Sequence, residues 1–188
     1  MPTGSPPSCA DETTVTDHLR DVFGRRCCYC TISEEETSSG PAFFEIEHFK
    51  PVCEFKRPGR AKSEQLCAAS YYENLGYACS TCNRAKSGEW PKRVTRERRF
   101  LDASIDPLYP DHLAICWDAI EPRNHPGPYM HARLKFGTRP NIAIRLASRR
   151  AKIRDLQAAW QGKHWSAAVV YRRRAHAQLG YVPPVEQG

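Results

Sequence analysis

The sequence predicts an α+β fold: a short N-terminal helix, a small zinc-stapled core and a basic C-terminal helical extension. Three observations carry that expectation. Two Cys-x-x-Cys pairs, CCYC and CSTC, bracket the β-type run PAFFEIEHFKP. An amphipathic segment, TTVTDHLRDVFG, precedes them. The last third repeats apolar residues at helical spacing among many cations.

Composition sets the bounds. A chain of 188 residues suits one full core or two small lobes. Only 40% of it is hydrophobic, and 15 prolines and 11 glycines imply much loop, so a bound metal is expected to supply part of the stability. The formal net charge of +7 points to a polyanionic partner. Its distribution says more: twelve Lys or Arg lie between Arg133 and Arg174 against the single acid Asp155, and seven between Arg84 and Arg99 against Glu89 and Glu97. Such an imbalance favours nucleic acid over an ordinary solvated face. No apolar run approaches membrane-spanning length and MPTGSPPSCA lacks a leader pattern, so no membrane association and a cytoplasmic setting are expected.

Residues 1–24 read as a disordered, Pro/Ser/Gly-rich start and a short helix over 14–24, with Val15, Leu19, Val22 and Phe23 on one face and Gly24 as stop. Residues 25–90 hold the cysteine pairs. There PAFFEIEHFKP reads as a strand ending near Pro51, EFKRPGRAKSEQ as a charged loop, and STCNRAKSG as the opening of a helix with Ser80 or Thr81 near its cap. Residues 91–138 form an irregular segment, with LAICWDAI and YMHARLKF as strands around the turn EPRNHPGP. Residues 139–188 are the basic helical extension: Pro140 suits a first turn, and Ile142, Leu146, Ile153, Leu156 and Trp160 give an apolar face in a run towards Leu179.

Cys27, Cys30, Cys79 and Cys82 form two pairs of the spacing that lets each clamp one edge of a tetrahedral ion, so a structural Zn²⁺ is expected. A redox role would usually show one such pair beside a βαβ pattern, which is absent. Cys28 is the alternative ligand, although Cys27 has the correct spacing. Cys9, Cys53, Cys67 and Cys116 lack paired spacing. The 48 residues between the pairs exceed a zinc ribbon's insert and are expected to carry the working part.

That insert contains Glu47, His48 and Asn74, and Asn83 follows the last cysteine. Each alone is weak evidence, since a Glu-His pair is usually surface and an Asn usually a turn. Together, EIEHFKP, YENLGYAC and CNRAKSG resemble the three blocks of an HNH endonuclease, the ββα-metal nuclease class, in its zinc-bracketed form. Order, spacing and residue type agree at Cys27, Cys30, Glu47, His48, Asn74, Cys79, Cys82 and Asn83, over about residues 25–90.

The resemblance implies a metal-dependent endonuclease that hydrolyses DNA phosphodiester bonds. His48 would be the general base that activates water, Glu47 and Asn83 would hold a divalent cation, and Asn74 would tie the loop and steady the histidine. Arg84, Lys86 and Lys50 would contact nucleic-acid phosphates. The acidic position is often Asp and the last position often His in the family. Glu47 is longer than Asp by a methylene, which alters its metal geometry, and the amide of Asn83 in place of imidazole makes a harder site, which favours Mg²⁺ or Mn²⁺. On an alternating strand Glu45 shares a face with Glu47 while His48 points away, so Glu45 is a rival ligand. Beyond the core, IDPLYP and IAIRLASRRAKI look like the stand-alone bacterial HNH proteins that include the PtuB component of Septu-type antiphage systems, where the nuclease works with an ATPase. The alternatives are a non-catalytic zinc-dependent nucleic-acid-binding module and an RNase.

Overall fold

The computed structural model of the chain describes the backbone of residues 12–160 and the side chains of 13–155. Over these residues the protein is mixed α/β, with five α-helices and two small antiparallel sheets. It divides between Asp106 and Pro107 into two compact units. No described helix is long and apolar enough to cross a membrane.

The first unit opens with α1, Glu12–Val22. Its apolar face buries Val15 and Leu19, whereas Val22, expected on that face, is 47% exposed. The helix gives way there to a turn closed by the Phe23 amide on the Leu19 carbonyl, with Gly24 at φ +59°, and it is the half-buried Phe23 that reaches towards Gly76. Strand β1, Phe44–His48, is shorter than the apolar run because Gly40–Phe43 winds into a 3₁₀ turn with proline at its start. It pairs antiparallel with β2, Leu75–Cys79, in the register Phe44 to Cys79 and His48 to Leu75. Every residue of β2 is buried, and Phe44 stacks on Tyr77 with ring centroids 4.8 Å apart.

Helix α2, Lys62–Ala69, occupies part of the stretch expected to be a charged loop. Its start is fixed by the Glu64 carboxylate, which accepts the Ala61 amide at 3.0 Å. Helix α3, Ser80–Lys86, follows β2 without a break, so the N-cap is Cys79 in extended geometry rather than Ser80 or Thr81.

In the second unit, LAICWDAI is a hairpin rather than one strand. Strand β3, Leu113–Cys116, turns through Trp117 at φ +53° into β4, Ala119–Pro122, with Ile115 opposite Ile120. YMHARLKF, expected as a strand, lies largely in the helix α4, Gly127–Arg133. Met130 and Leu134, one helical turn apart, are both fully buried, and Lys135 in the left-handed region ends the run. Gly127 is required there: a Cβ would come within 1.8 Å of the His112 carbonyl oxygen. Helix α5, Pro140–Trp160, buries Ile142, Leu146 and Ile153 as the spacing predicts. Arg145 and Arg149 are buried too, at 8% and 5% exposure, so they do not add to an outward basic face. The side chains of Leu156 and Trp160, the continuation towards Leu179 and the N-terminal stretch 1–10 lie outside the described residues.

Candidate functional site

The cysteine cluster is built by the sheet. The Cys28 amide donates to the Tyr77 carbonyl and the Cys27 amide to that of Ile32, which hangs the CCYC turn on β2. Because β2 ends at Cys79 and α3 starts at once, Cys82 returns one turn later to the same point. The four sulfurs of Cys27, Cys30, Cys79 and Cys82 all lie within 4.8 Å of one another and are buried. Cys30 and Cys79 stand 3.8 Å apart, which matches the edge, about 3.8 Å, of a sulfur tetrahedron around zinc with Zn–S bonds of about 2.3 Å. The donor set is therefore compatible with a structural zinc. Cys28 is outside it, its sulfur packed towards Gly76.

His48 ends β1. Its Nε2 lies 3.0 Å from the Ser70 hydroxyl, and that hydroxyl donates its own proton to the Leu66 carbonyl at 2.8 Å. With its proton committed, Ser70 Oγ accepts from His48, which puts the imidazole proton on Nε2 and leaves Nδ1 as the lone-pair nitrogen. Burial, and then the Lys86 charge, hold the imidazole below its ordinary 6.5, so it is neutral at pH 7.

Asn74, the buried last residue of the 3₁₀ turn Tyr72–Asn74, makes three side-chain hydrogen bonds. Its Oδ1 accepts the Lys50 amide at 2.7 Å, and its Nδ2 donates to the carbonyls of Lys50 at 3.0 Å and Ala69 at 2.7 Å. It thereby ties the exit of β1 to the end of α2, the two segments that carry His48 and Ser70.

The two glutamates of β1 have different environments. Glu47 is buried, with Lys86 Nζ 2.5 Å from its Oε1 and the Tyr29 hydroxyl donating to the same oxygen at 3.3 Å. Burial pushes its carboxyl up, to about 7, against the opposing pull of Lys86 and Tyr29. Glu45 is exposed, and its Oε2 accepts the Asn83 amide at 2.6 Å. The carboxylate that meets Asn83 is thus Glu45, the rival ligand, while Glu47 faces inward.

The expected phosphate contacts also separate. Arg84 is exposed on α3, Lys50 is half-buried with its ammonium 5.2 Å from the Phe55 ring centre, and Lys86 is 0% exposed. Lys86, an expected phosphate contact, is turned into the core by its position on the helix. Ser70 and Tyr29 also belong to the site. No pattern marks Ser70, 22 residues from His48, and Tyr29 is visible only as a spacer inside CCYC. The chain matches no family model, and it likewise matches no curated protein and no solved structure.

Proposed function

We propose that the first unit is a metal-dependent HNH-type endonuclease that hydrolyses DNA phosphodiester bonds, with His48 as general base. The observation that carries this reading is the oriented imidazole. His48 ends a strand held by Asn74, with its Nε2 3.0 Å from the Ser70 hydroxyl, a contact that leaves Nδ1 to accept a proton when the ring proton is on Nε2.

In this reading Nδ1 takes a proton from water as the water oxygen bonds to phosphorus. The ester P–O bond breaks, and the departing oxygen takes a proton from solvent. Glu45 and Asn83 offer a carboxylate and an amide oxygen at the surface, a donor set suited to a hard cation once the amide turns its oxygen outward. Mg²⁺ or Mn²⁺ held there would relieve charge on the departing oxygen. Glu47, the carboxylate that the resemblance assigns to that ion, is occupied by Lys86. Six of the seven cations from Arg84 to Arg99 are exposed, which supports a phosphate backbone as the bound surface.

The test is nicking of supercoiled plasmid by wild type and His48→Ala in Mg²⁺, Mn²⁺ and EDTA. Nicking by wild type alone, and only with metal, supports the reading. Equal nicking by both proteins removes His48 as the base. Salt-sensitive binding with no cleavage by either favours the binding module, preferential cleavage of RNA favours an RNase, and cleavage only with an added ATPase partner places the chain in a two-component defence system.

A further inference from the structure

We infer that Lys86 is an internal positioning residue, holding the backbone at His48 through its ammonium with Glu47 as buried counter-charge, and not a contact for nucleic-acid phosphates. The inference rests on reading His48 as the base.

Lys86 is the one cation between Arg84 and Arg99 that is buried; the other six are exposed. Its Nζ donates to the His48 carbonyl at 2.8 Å, lies 2.5 Å from Glu47 Oε1 and sits 5.4 Å from the centre of the Phe100 ring. An ammonium withdrawn from water is costly unless its protons find acceptors, and here a carbonyl and a carboxylate take them. The Tyr29 hydroxyl donates to the same Glu47 oxygen, Oε1, at 3.3 Å.

The placement of these partners has a consequence for His48. Where β1 ends, the Phe49 amide goes to the Asn74 carbonyl at 2.8 Å, and the His48 carbonyl goes to Lys86. The peptide unit that leaves His48 is therefore pinned at both ends, its carbonyl from α3 and its amide from the loop before β2. The imidazole is hinged on that peptide. Two contacts made by one ammonium thus link the last turn of the zinc-fixed helix to the orientation of the base, and the pair Glu47–Lys86 works from inside the core.

The first test uses the zinc-loaded wild-type chain. Isotope-labelled protein should show a slowly exchanging Lys86 ammonium with a coupling across the hydrogen bond to the His48 carbonyl carbon. A rapidly exchanging ammonium without that coupling overturns the inference. The second uses Lys86→Met and the doubly neutral Lys86→Met/Glu47→Gln, which leaves no unpaired buried charge. The expected result for the double variant is unchanged duplex affinity and salt slope, a shifted His48 carbonyl resonance, and nicking turnover down by roughly a hundredfold at unchanged KM. A salt slope reduced by about one with the carbonyl resonance unmoved makes Lys86 a phosphate contact and overturns the inference. Unchanged turnover alongside an active wild type overturns it too. If wild type itself never nicks, the nuclease reading fails, while the coupling and the salt slope still decide where the Lys86 ammonium acts.

Discussion

The Ser70 hydroxyl stands 3.0 Å from His48 Nε2 and gives its own proton to the Leu66 carbonyl. A serine whose donor is already committed can only accept from the ring, so it sets the tautomer. Ser70→Ala should lower nicking turnover by about 10- to 100-fold with little change in KM, because the lone-pair nitrogen is no longer fixed. Steady-state nicking of a defined plasmid gives both constants, and turnover equal to wild type would remove Ser70 from the site.

The acid limb of the nicking rate should have its midpoint below 6.5. Burial and Lys86 hold the His48 imidazole below that ordinary value, so the neutral base persists to lower pH and is lost only as pH falls through the depressed native one. A rate profile from pH 5 to pH 8 measures it. A midpoint above 6.5 would contradict the environment described for His48.

Glu45 and Glu47 should separate experimentally. Glu45→Gln should raise the Mn²⁺ concentration for half-maximal nicking by about tenfold and leave thermal stability within about 0.5 kcal/mol, since the residue is exposed. Glu47→Gln removes the partner of a buried ammonium and should cost about 3–5 kcal/mol of stability. Direct Mn²⁺ titration together with thermal melts of the zinc-loaded variants reads both effects, and the reverse pattern would exchange their roles.

One zinc per chain is the expected stoichiometry by elemental analysis. A zinc-selective chelator should abolish the cooperative melt of the first unit, because the cluster joins the turn after α1 to the junction of β2 and α3. Cys79→Ser should do the same. Cys28→Ser should keep its zinc, since Cys28 is not one of the four clustered sulfurs.

Glu34 joins α1 to β2: Arg20 donates to both of its carboxylate oxygens, at 2.8 and 3.0 Å, and the Tyr77 hydroxyl donates at 2.7 Å. Glu34→Gln should cost about 1–3 kcal/mol at pH 7, measured by denaturant unfolding. Arg20 holds the carboxyl below its ordinary 4.5. The contribution is therefore complete above that value and is lost as pH falls through the lowered native one, so the gap between variant and wild type should narrow on acidification.

Much of this was legible in the chain itself. The four clustered cysteines could be read because a two-residue spacing is itself the geometry of a clamp. The runs around Phe44–His48 and Ser80–Lys86 carried their own strand and helix signals, and Ile142, Leu146 and Ile153 declared the buried face of α5. Local pattern failed where packing decides. YMHARLKF has no clear period until Met130 and Leu134 are both buried, and α2 sits in a stretch whose charges read as loop. In the site, the sequence determined which residue types are present: a histidine, two glutamates, two asparagines and a lysine. Only the tertiary structure decided that Glu47 turns inward to Lys86 while Glu45 meets Asn83, and that Ser70 orients His48. The reason is physical. Alternation along a strand gives two glutamates one nominal face, but burial and the nearest partner decide which carboxylate meets water and which meets an ammonium, and those partners lie 22 to 39 residues away in the chain.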